Sequence, residues 1–451
     1  MNDYLDELSE FACQISYERL TDSARTAAAD VLMDTIGAIV GGSRLPENAN
    51  LTRFVGATGG GTASLLGHNL KAQPHMAALA NATAGVALEM DEGTRLGGGH
   101  PSIHVLPGAL AVAEDLAASG PRLAEAVIAG YEVSSRIGGA TKARPNVHSH
   151  GTWGTIGTAV AVARLMGFGP TQMRQVINLA ASMSPANTWT PCFEGATIRN
   201  VYPGRSGMQG VLAPQLLLCG FTPPTDAPTD VYTTILGDEF DVDAAVAGLG
   251  QDPLRIEQNY FKFHACCLYN HPVLDAVETI VRREELDHTN IRDVNVTTVP
   301  FAQRMAQEYP SNMLSAKFHV PYAVAALLVS GRSDINAFYQ DSVENPAIQD
   351  LAGRVAVISD PSMNVQEPEK PCARVDVTLA DGRTLSESIT HVRGDFQRRR
   401  SRGELEAKFR FLTSGILGSE RTEEVIRATT NLAKLEDVRG LTALLRPSSD
   451  C

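Results

Sequence analysis

The chain has 451 residues, of which 43% are hydrophobic and only 6% aromatic, and it carries a net charge of −13. That length suffices for two or three domains around a large buried core, and the acidic balance excludes general nucleic-acid binding and adhesion to an anionic membrane. An anionic ligand therefore needs a locally positive pocket.

The first residues include Asp3, Asp6, Glu7 and Glu10 and lack the basic and apolar segments of a secretory signal. No apolar run approaches the length of a membrane span. Seven scattered cysteines, at 13, 192, 219, 266, 267, 372 and 451, fit reduced thiols in a cytoplasm better than a disulfide frame. Without a Cys-x-x-Cys pair, neither a zinc ribbon nor an iron–sulfur motif is written. Residues from Tyr4 to Gly42 read as helix and then a turn, with Val31, Leu32, Ile36 and Ile39 on a buried stripe. Gly56 to Ser64 is glycine-rich but lacks the Gly-Lys-Ser/Thr ending of a phosphate loop, and reads as a turn between helices.

Chemistry concentrates between Leu88 and His104. An Ala-rich helix is predicted from Met76 to Met90, with Asp91 at its C-terminal end and Gly93 stopping it. Gly97, Gly98 and Gly99 then permit a sharp turn, and Pro101-Ser102 suits the first turn of a helix running to Leu116. His100 thereby sits at a helix N-terminus, where the dipole favours a neutral imidazole and an anionic ligand. The competing reading is a structural loop with a capping histidine. His100 and His104 are also an i,i+4 pair beside Asp91, so a metal-dependent hydrolase is a second possibility.

Further helices are predicted over Pro121 to Gly138, Gly151 to Met166 and Pro170 to Met183, which implies a bundle of small-residue helices. A polar loop from Lys142 to His150 brings His148 and His150 ahead of the second of these. The stretch Glu194 to Gly207 places Arg199 and Arg205 near a helix start, a pattern suited to carboxylate binding or to surface ion pairing. Beyond Asn270 the texture changes. Helical Pro272 to Arg283 and Ala316 to Val329 alternate with strand-like Val294 to Val299, Val355 to Ile358, and a hairpin over Ala373 to Ile389 turning at Asp381-Gly382. A smaller α+β domain with an antiparallel sheet is thus inserted into a helical chain. Gly394 to Gly403, with Arg398, Arg399, Arg400 and Arg402, reads as a basic linker before the helices resume to about Leu445.

Several ordered motifs carry a resemblance. They are Met-Asp-Glu followed by Gly-His-Pro-Ser at 90–102, His148 before Gly-Thr-x-Gly-Thr-x-Gly, Lys262 before Cys266-Cys267 and His271, and Ala-Lys-Phe-His-Val-Pro-Tyr at 316–322. Together they resemble the MmgE/PrpD family of dehydratases, decarboxylases and epimerases along nearly the whole chain. The resemblance implies a mainly α fold, with a helical domain built from both chain ends (1–267 and 394–451) and an inserted α+β lid (268–393). It also implies a cytoplasmic homodimer that uses no metal or organic cofactor and acts on a small anionic di- or tricarboxylate. Catalytic positions carried over are Asp91, His100, His148, Lys262 and Tyr322, with Thr94, Arg199, Tyr202, Arg205 and His264 assigned to substrate binding. Arg199 stands where the resemblance implies a lysine, and an arginine is a poor proton donor. A 2-methylcitrate dehydratase-like lyase is the first expectation. Iminodisuccinate epimerase-like and cis-aconitate decarboxylase-like reactions are its alternatives. His100 is the expected base, oriented by Asp91.

Overall fold

A computed structural model describes residues 3–447 except 285 and 365–371. The N-terminal helical segment is two helices, α1 (Tyr4–Gln14) and α2 (Asp22–Gly42), parted by a 3₁₀ turn. Thr21 accepts the Ala24 N–H and starts α2 afresh. After α3 (Pro46–Ala57) the glycine-rich stretch leads into a short hairpin of β1 (Ala63–Leu65) and β2 (Leu70–Ala72), so it is a turn. The bundle continues with α4 (Pro74–Val86), α5 (Pro101–Asp115), α6 (Gly120–Ala140), α7 (Gly154–Leu165), α8 (Pro170–Ser182) and the helix Val201–Leu218. It is completed by the C-terminal helices Arg402–Leu417 and Ser419–Thr430.

Two expectations about α4 are corrected. It ends at Val86, four residues before Met90, because Glu89 takes a left-handed backbone with φ +53°. Gly93 is not its stop signal. Gly93 pairs with Tyr260 through both main-chain bonds, and a Cβ there would lie 2.3 Å from the Tyr260 hydroxyl oxygen.

Small residues explain how the helices approach. A Cβ on Gly42 of α2 would lie 2.0 Å from the Ala84 carbonyl oxygen of α4, so the two backbones touch directly and no side chain fits between them.

A second apolar cluster gathers around the helices His271–Glu284 and Val320–Ser330 and a four-stranded sheet. Its strands are β5 (Ile291–Thr298), β6 (Val355–Ser359), β7 (Ala373–Leu379) and β8 (Thr384–Ile389), in the order β6-β5-β7-β8. The expected hairpin is present, with Gly382 at φ +89°. The sheet is mixed, however, because β5 and β6 run parallel. A helical connection of over fifty residues separates them, and a crossover of that kind is what parallel pairing requires.

The chain passes between the two clusters near Tyr260 and Asp395, which are bridged to each other. Arg95 grips Asp395 with two charge-assisted bonds of 2.7 and 3.0 Å. The run predicted as a basic linker is anchored here: Arg398 pairs with Asp275, Arg399 donates to the Glu257 carbonyl, and Arg402 already belongs to a helix and pairs with Asp30. Two short strands, β3 (Thr141–Ala143) and β4 (Gly237–Phe240), were not foreseen. Among the described residues no helix is long and apolar enough to cross a membrane, and the six described cysteines are free, Cys451 lying outside them.

The α2–α4 contact gives a direct test. Gly42→Ala forces the backbones apart and lowers unfolding free energy by about 1–3 kcal/mol, read by denaturant titration.

Candidate active site

Within six residues of the end of α4, the chain carries three carboxylates, Glu89, Asp91 and Glu92, all shielded from water. Each has a separate environment. Glu89 accepts Lys262 Nζ at 2.7 Å on one oxygen and lies 2.5 Å from Arg199 on the other. Lys262 also lies 3.7 Å from Asp91. Burial opposes charge on Glu89, but Arg199 and Lys262 outweigh it and hold its carboxyl well below the ordinary range. Burial likewise opposes charge on Lys262, and Glu89 and Asp91 overcome it to raise the ammonium pKa.

Asp91 Oδ2 lies 3.1 Å from His100 Nδ1. The well-formed hydrogen bond of that nitrogen, at 2.8 Å, goes to the Glu92 carbonyl. A carbonyl can only accept, so Nδ1 carries a proton and Nε2 holds the lone pair of the neutral ring. Nε2 is turned toward the Tyr260 hydroxyl, 3.5 Å away. His100 and Tyr260 both line a cavity of about 430 Å³, together with Thr94, Trp189, Cys267 and Phe301. Lys142 and Arg144 stand at its exposed rim, and no acidic residue lines it. This is the local positive pocket that the overall charge demanded.

His148 accepts the His150 N–H on Nδ1, so its proton sits on Nε2, which is buried without a partner. Burial, reinforced by Arg199, pushes its pKa well down and keeps the ring neutral. The ring stacks on Trp189 with centroids 3.9 Å apart. His150 stacks between His100 and His148, and neither of its ring nitrogens has a partner. Several unsatisfied buried atoms fall together here: both Asp91 oxygens, His148 Nε2, both His150 nitrogens, and Arg199 Nε. Buried polar groups without partners are rare, and a cluster of them is a place made for a polar ligand.

Placement of the other expected residues varies. Thr94 lines the cavity and is itself buried. Arg199 is fully buried, its guanidinium 5.0 Å over the Phe318 ring. Its carboxylate partner in this structure is internal, Glu89. Tyr202 meets the edge of His148 at 5.7 Å. Arg205 bonds Asn187, which in turn holds the His150 carbonyl, so it braces the histidine turn. His264 and Tyr322 do not join the cluster. His264 spends both ring nitrogens on Ser333 and Asp275, and the Tyr322 hydroxyl donates to the Ala337 carbonyl at 2.6 Å among Tyr309 and Phe338. The metal pairing of His100 with His104 is corrected as well. His104 donates from Nδ1 to the His100 carbonyl and accepts the Gly151 N–H on Nε2, leaving no lone pair for an ion. Asp91, His100 and His150 do offer ligand atoms within 4.8 Å of one another.

Sequence reasoning passed over Glu89, Glu92, Tyr260 and Lys317. A usable signal existed for the first two, since acids at 89, 91 and 92 follow an alanine-rich helix that carries no acidic residue. Glu92 receives Tyr131 Oη at 2.5 Å and also the Ser102 hydroxyl. Burial pushes its pKa up to about 8.

A helical bundle and a second α/β cluster, meeting at a sealed acid–base site, define a two-part enzyme of one known kind. The family model for the MmgE/PrpD N-terminal domain matches residues 6–234, and that for the MmgE/PrpD C-terminal domain matches residues 264–434. The chain belongs to the MmgE/PrpD family, and its activity is that of a lyase or isomerase. Its relatives include cis-aconitate decarboxylase of Homo sapiens, 26% identical over 84% of this chain and 81% of that protein. Cis-aconitate decarboxylase of Aspergillus terreus is 24% identical over 97% and 95% of the two chains, and that of Mus musculus 23% over 96% and 92%.

Glu92 yields a pH prediction. Its folded-state pKa is the raised one, so the protonated acid contributes stability fully below the ordinary carboxylate range and loses it as pH rises through about 8. Thermal melts across this range fall for the native chain, and Glu92→Gln flattens that part of the decline.

Proposed function

We propose that the chain is a cofactor-independent lyase acting beside a carboxylate of a small di- or tricarboxylate, with decarboxylation of a cis-aconitate-like acid as the foremost reaction. One observation carries the reading. His100 presents a lone pair at a cavity wall while its other nitrogen is pinned by Glu92 and faced by Asp91. Decarboxylation breaks the bond to one carboxyl carbon, releases carbon dioxide and leaves its electron pair spread toward the unsaturated acid that remains. The His100 Nε2 lone pair first takes up a proton from solvent and then delivers that proton to carbon, and Asp91 steadies the imidazolium formed in between. The cations behind it and the neutral N–H of His148 favour the developing negative charge.

Dehydration would use the same nitrogen in the other sense, to take a proton while hydroxide leaves. The relatives named are decarboxylases, so they lend no particular support to the methylcitrate reaction. Arg199 favours keeping epimerisation as a second reading, because a fixed cation holds a carboxylate without donating a proton. A homodimer with a lid spanning 268–393 accompanies the proposal.

His100→Gln should reduce turnover of cis-aconitate by roughly 100-fold or more, with substrate affinity changed only a few-fold. Product and solvent deuterium incorporation are followed by NMR, with 2-methylcitrate tested in parallel. Near-normal deuterium exchange in the variant would remove His100 from its role. Dialysis against a strong chelator should leave activity intact. Loss that one specific ion restores would instead favour a metal held by Asp91, His100 and His150.

A further inference from the structure

Behind the catalytic cluster lies a third cationic side chain. Lys317 closes the helix Met313–Lys317, and it is wholly buried. Its Nζ donates to the carbonyl of Ala87 at 2.8 Å, the residue that caps α4 and stands two positions before Glu89. Its own carbonyl accepts the Cys267 N–H at 3.0 Å and the Asn270 side chain at 2.9 Å. The following ring, Phe318, carries the Arg199 guanidinium. Lys317 is thus tied by geometry to the same few residues that form the site.

Charge bookkeeping separates it from its neighbours. Arg199 and Lys262 share Glu89, and Lys262 also faces Asp91. Two buried cations are answered by two buried anions. Among the described residues no carboxylate lies within ion-pair distance of Lys317, whose one hydrogen-bond acceptor is a neutral carbonyl. A substrate carboxylate that passes the exposed rim cations Lys142 and Arg144 into this cluster would add an anion for which no unpaired buried cation is otherwise provided.

We propose that Lys317 is a further anion-binding group of this site, which takes up a proton as a carboxylate substrate enters and supplies the missing counter-charge. The inference rests on the carboxylate reading given above. The groups that face the ammonium are consistent with it. Burial is the largest influence and pulls its pKa down to about 7; Glu89 works to raise it, and Arg199 and Lys262 work to lower it. The nearby Cys266 thiol is pushed up by burial and stays protonated, so it does not offer a competing anion. In the empty site the amine is therefore partly neutral near neutral pH, and an arriving anion raises its pKa. By linkage, binding is strongest below the free-state pKa, weakens as pH rises above it, and is accompanied there by proton uptake.

The test uses tricarballylate, a saturated tricarboxylate, titrated calorimetrically into the full chain in buffers of different ionisation enthalpy. Uptake should approach one proton per ligand at about pH 8, and affinity should fall by up to about tenfold per pH unit above neutrality. Lys317→Met should abolish the uptake and weaken binding about tenfold or more at neutral pH. Lys317→Arg, charged at every relevant pH, should bind without uptake, and it decides the matter if the methionine variant does not fold. Binding by the native chain with no proton uptake, or unchanged uptake in either variant, overturns the role of Lys317. Uptake that vanishes in the variants, with no turnover of cis-aconitate by the native chain, keeps that role and overturns the reaction. Failure of both tricarballylate and cis-aconitate to bind overturns the two readings together.

Discussion

A carboxylate sealed from water at residue 89 is tolerable only because two cations are sealed in with it. Removing one partner of such a buried pair characteristically costs about 3–5 kcal/mol, since it strands the other charge. Glu89 therefore fixes where Arg199 and Lys262 can be, one from the turn Thr197–Asn200 and the other from the approach to the second cluster. The left-handed backbone of Glu89 belongs to the same arrangement. It ends α4 early and turns the chain so that Asp91 and Glu92 face different neighbours, one the His100 ring and the other a pair of hydroxyls. Three acids within four residues thus acquire three distinct proton affinities from their surroundings alone.

The histidines show a comparable division. His104, His148 and His150 are all held neutral by burial. Main-chain groups assign the tautomers of the first two: a carbonyl takes the proton of His104 Nδ1, and an amide occupies the lone pair of His148 Nδ1. Only His100 combines a fixed tautomer with a place on the cavity wall. Four rings close together in the fold therefore do not compete for one function.

Much of this was legible in residue order. Small residues announced close helix packing, Pro101 announced the start of α5, and Asp381-Gly382 announced the hairpin. Asp91, His100 and His148 could be picked out because they stand in polar or glycine-rich interruptions of apolar sequence, whereas Lys262, set between Phe261 and Phe263, was marked only by the family resemblance. What escaped had a nonlocal cause. The early end of α4 depends on partners 110 and 173 positions away, and a helix-forming glutamate gives no local sign of a left-handed turn. The parallel pairing of β5 with β6 is set by the route of the intervening chain, to which strand pattern is blind. His264 and Tyr322 have the right chemistry, but contacts formed only in the fold use it up.

The loop that carries His100 is fastened to distant sequence. Gly93 pairs with Tyr260, and Arg95 grips Asp395, 300 positions later. During synthesis His100 leaves the ribosome long before the residues that set its position. A nascent chain of 350 residues would already contain Asp91, His100, Arg199 and Lys262, yet it would lack the clasp that holds their loop. The clasp closes late, once the chain has been made past Asp395 and folds back over the first hundred residues.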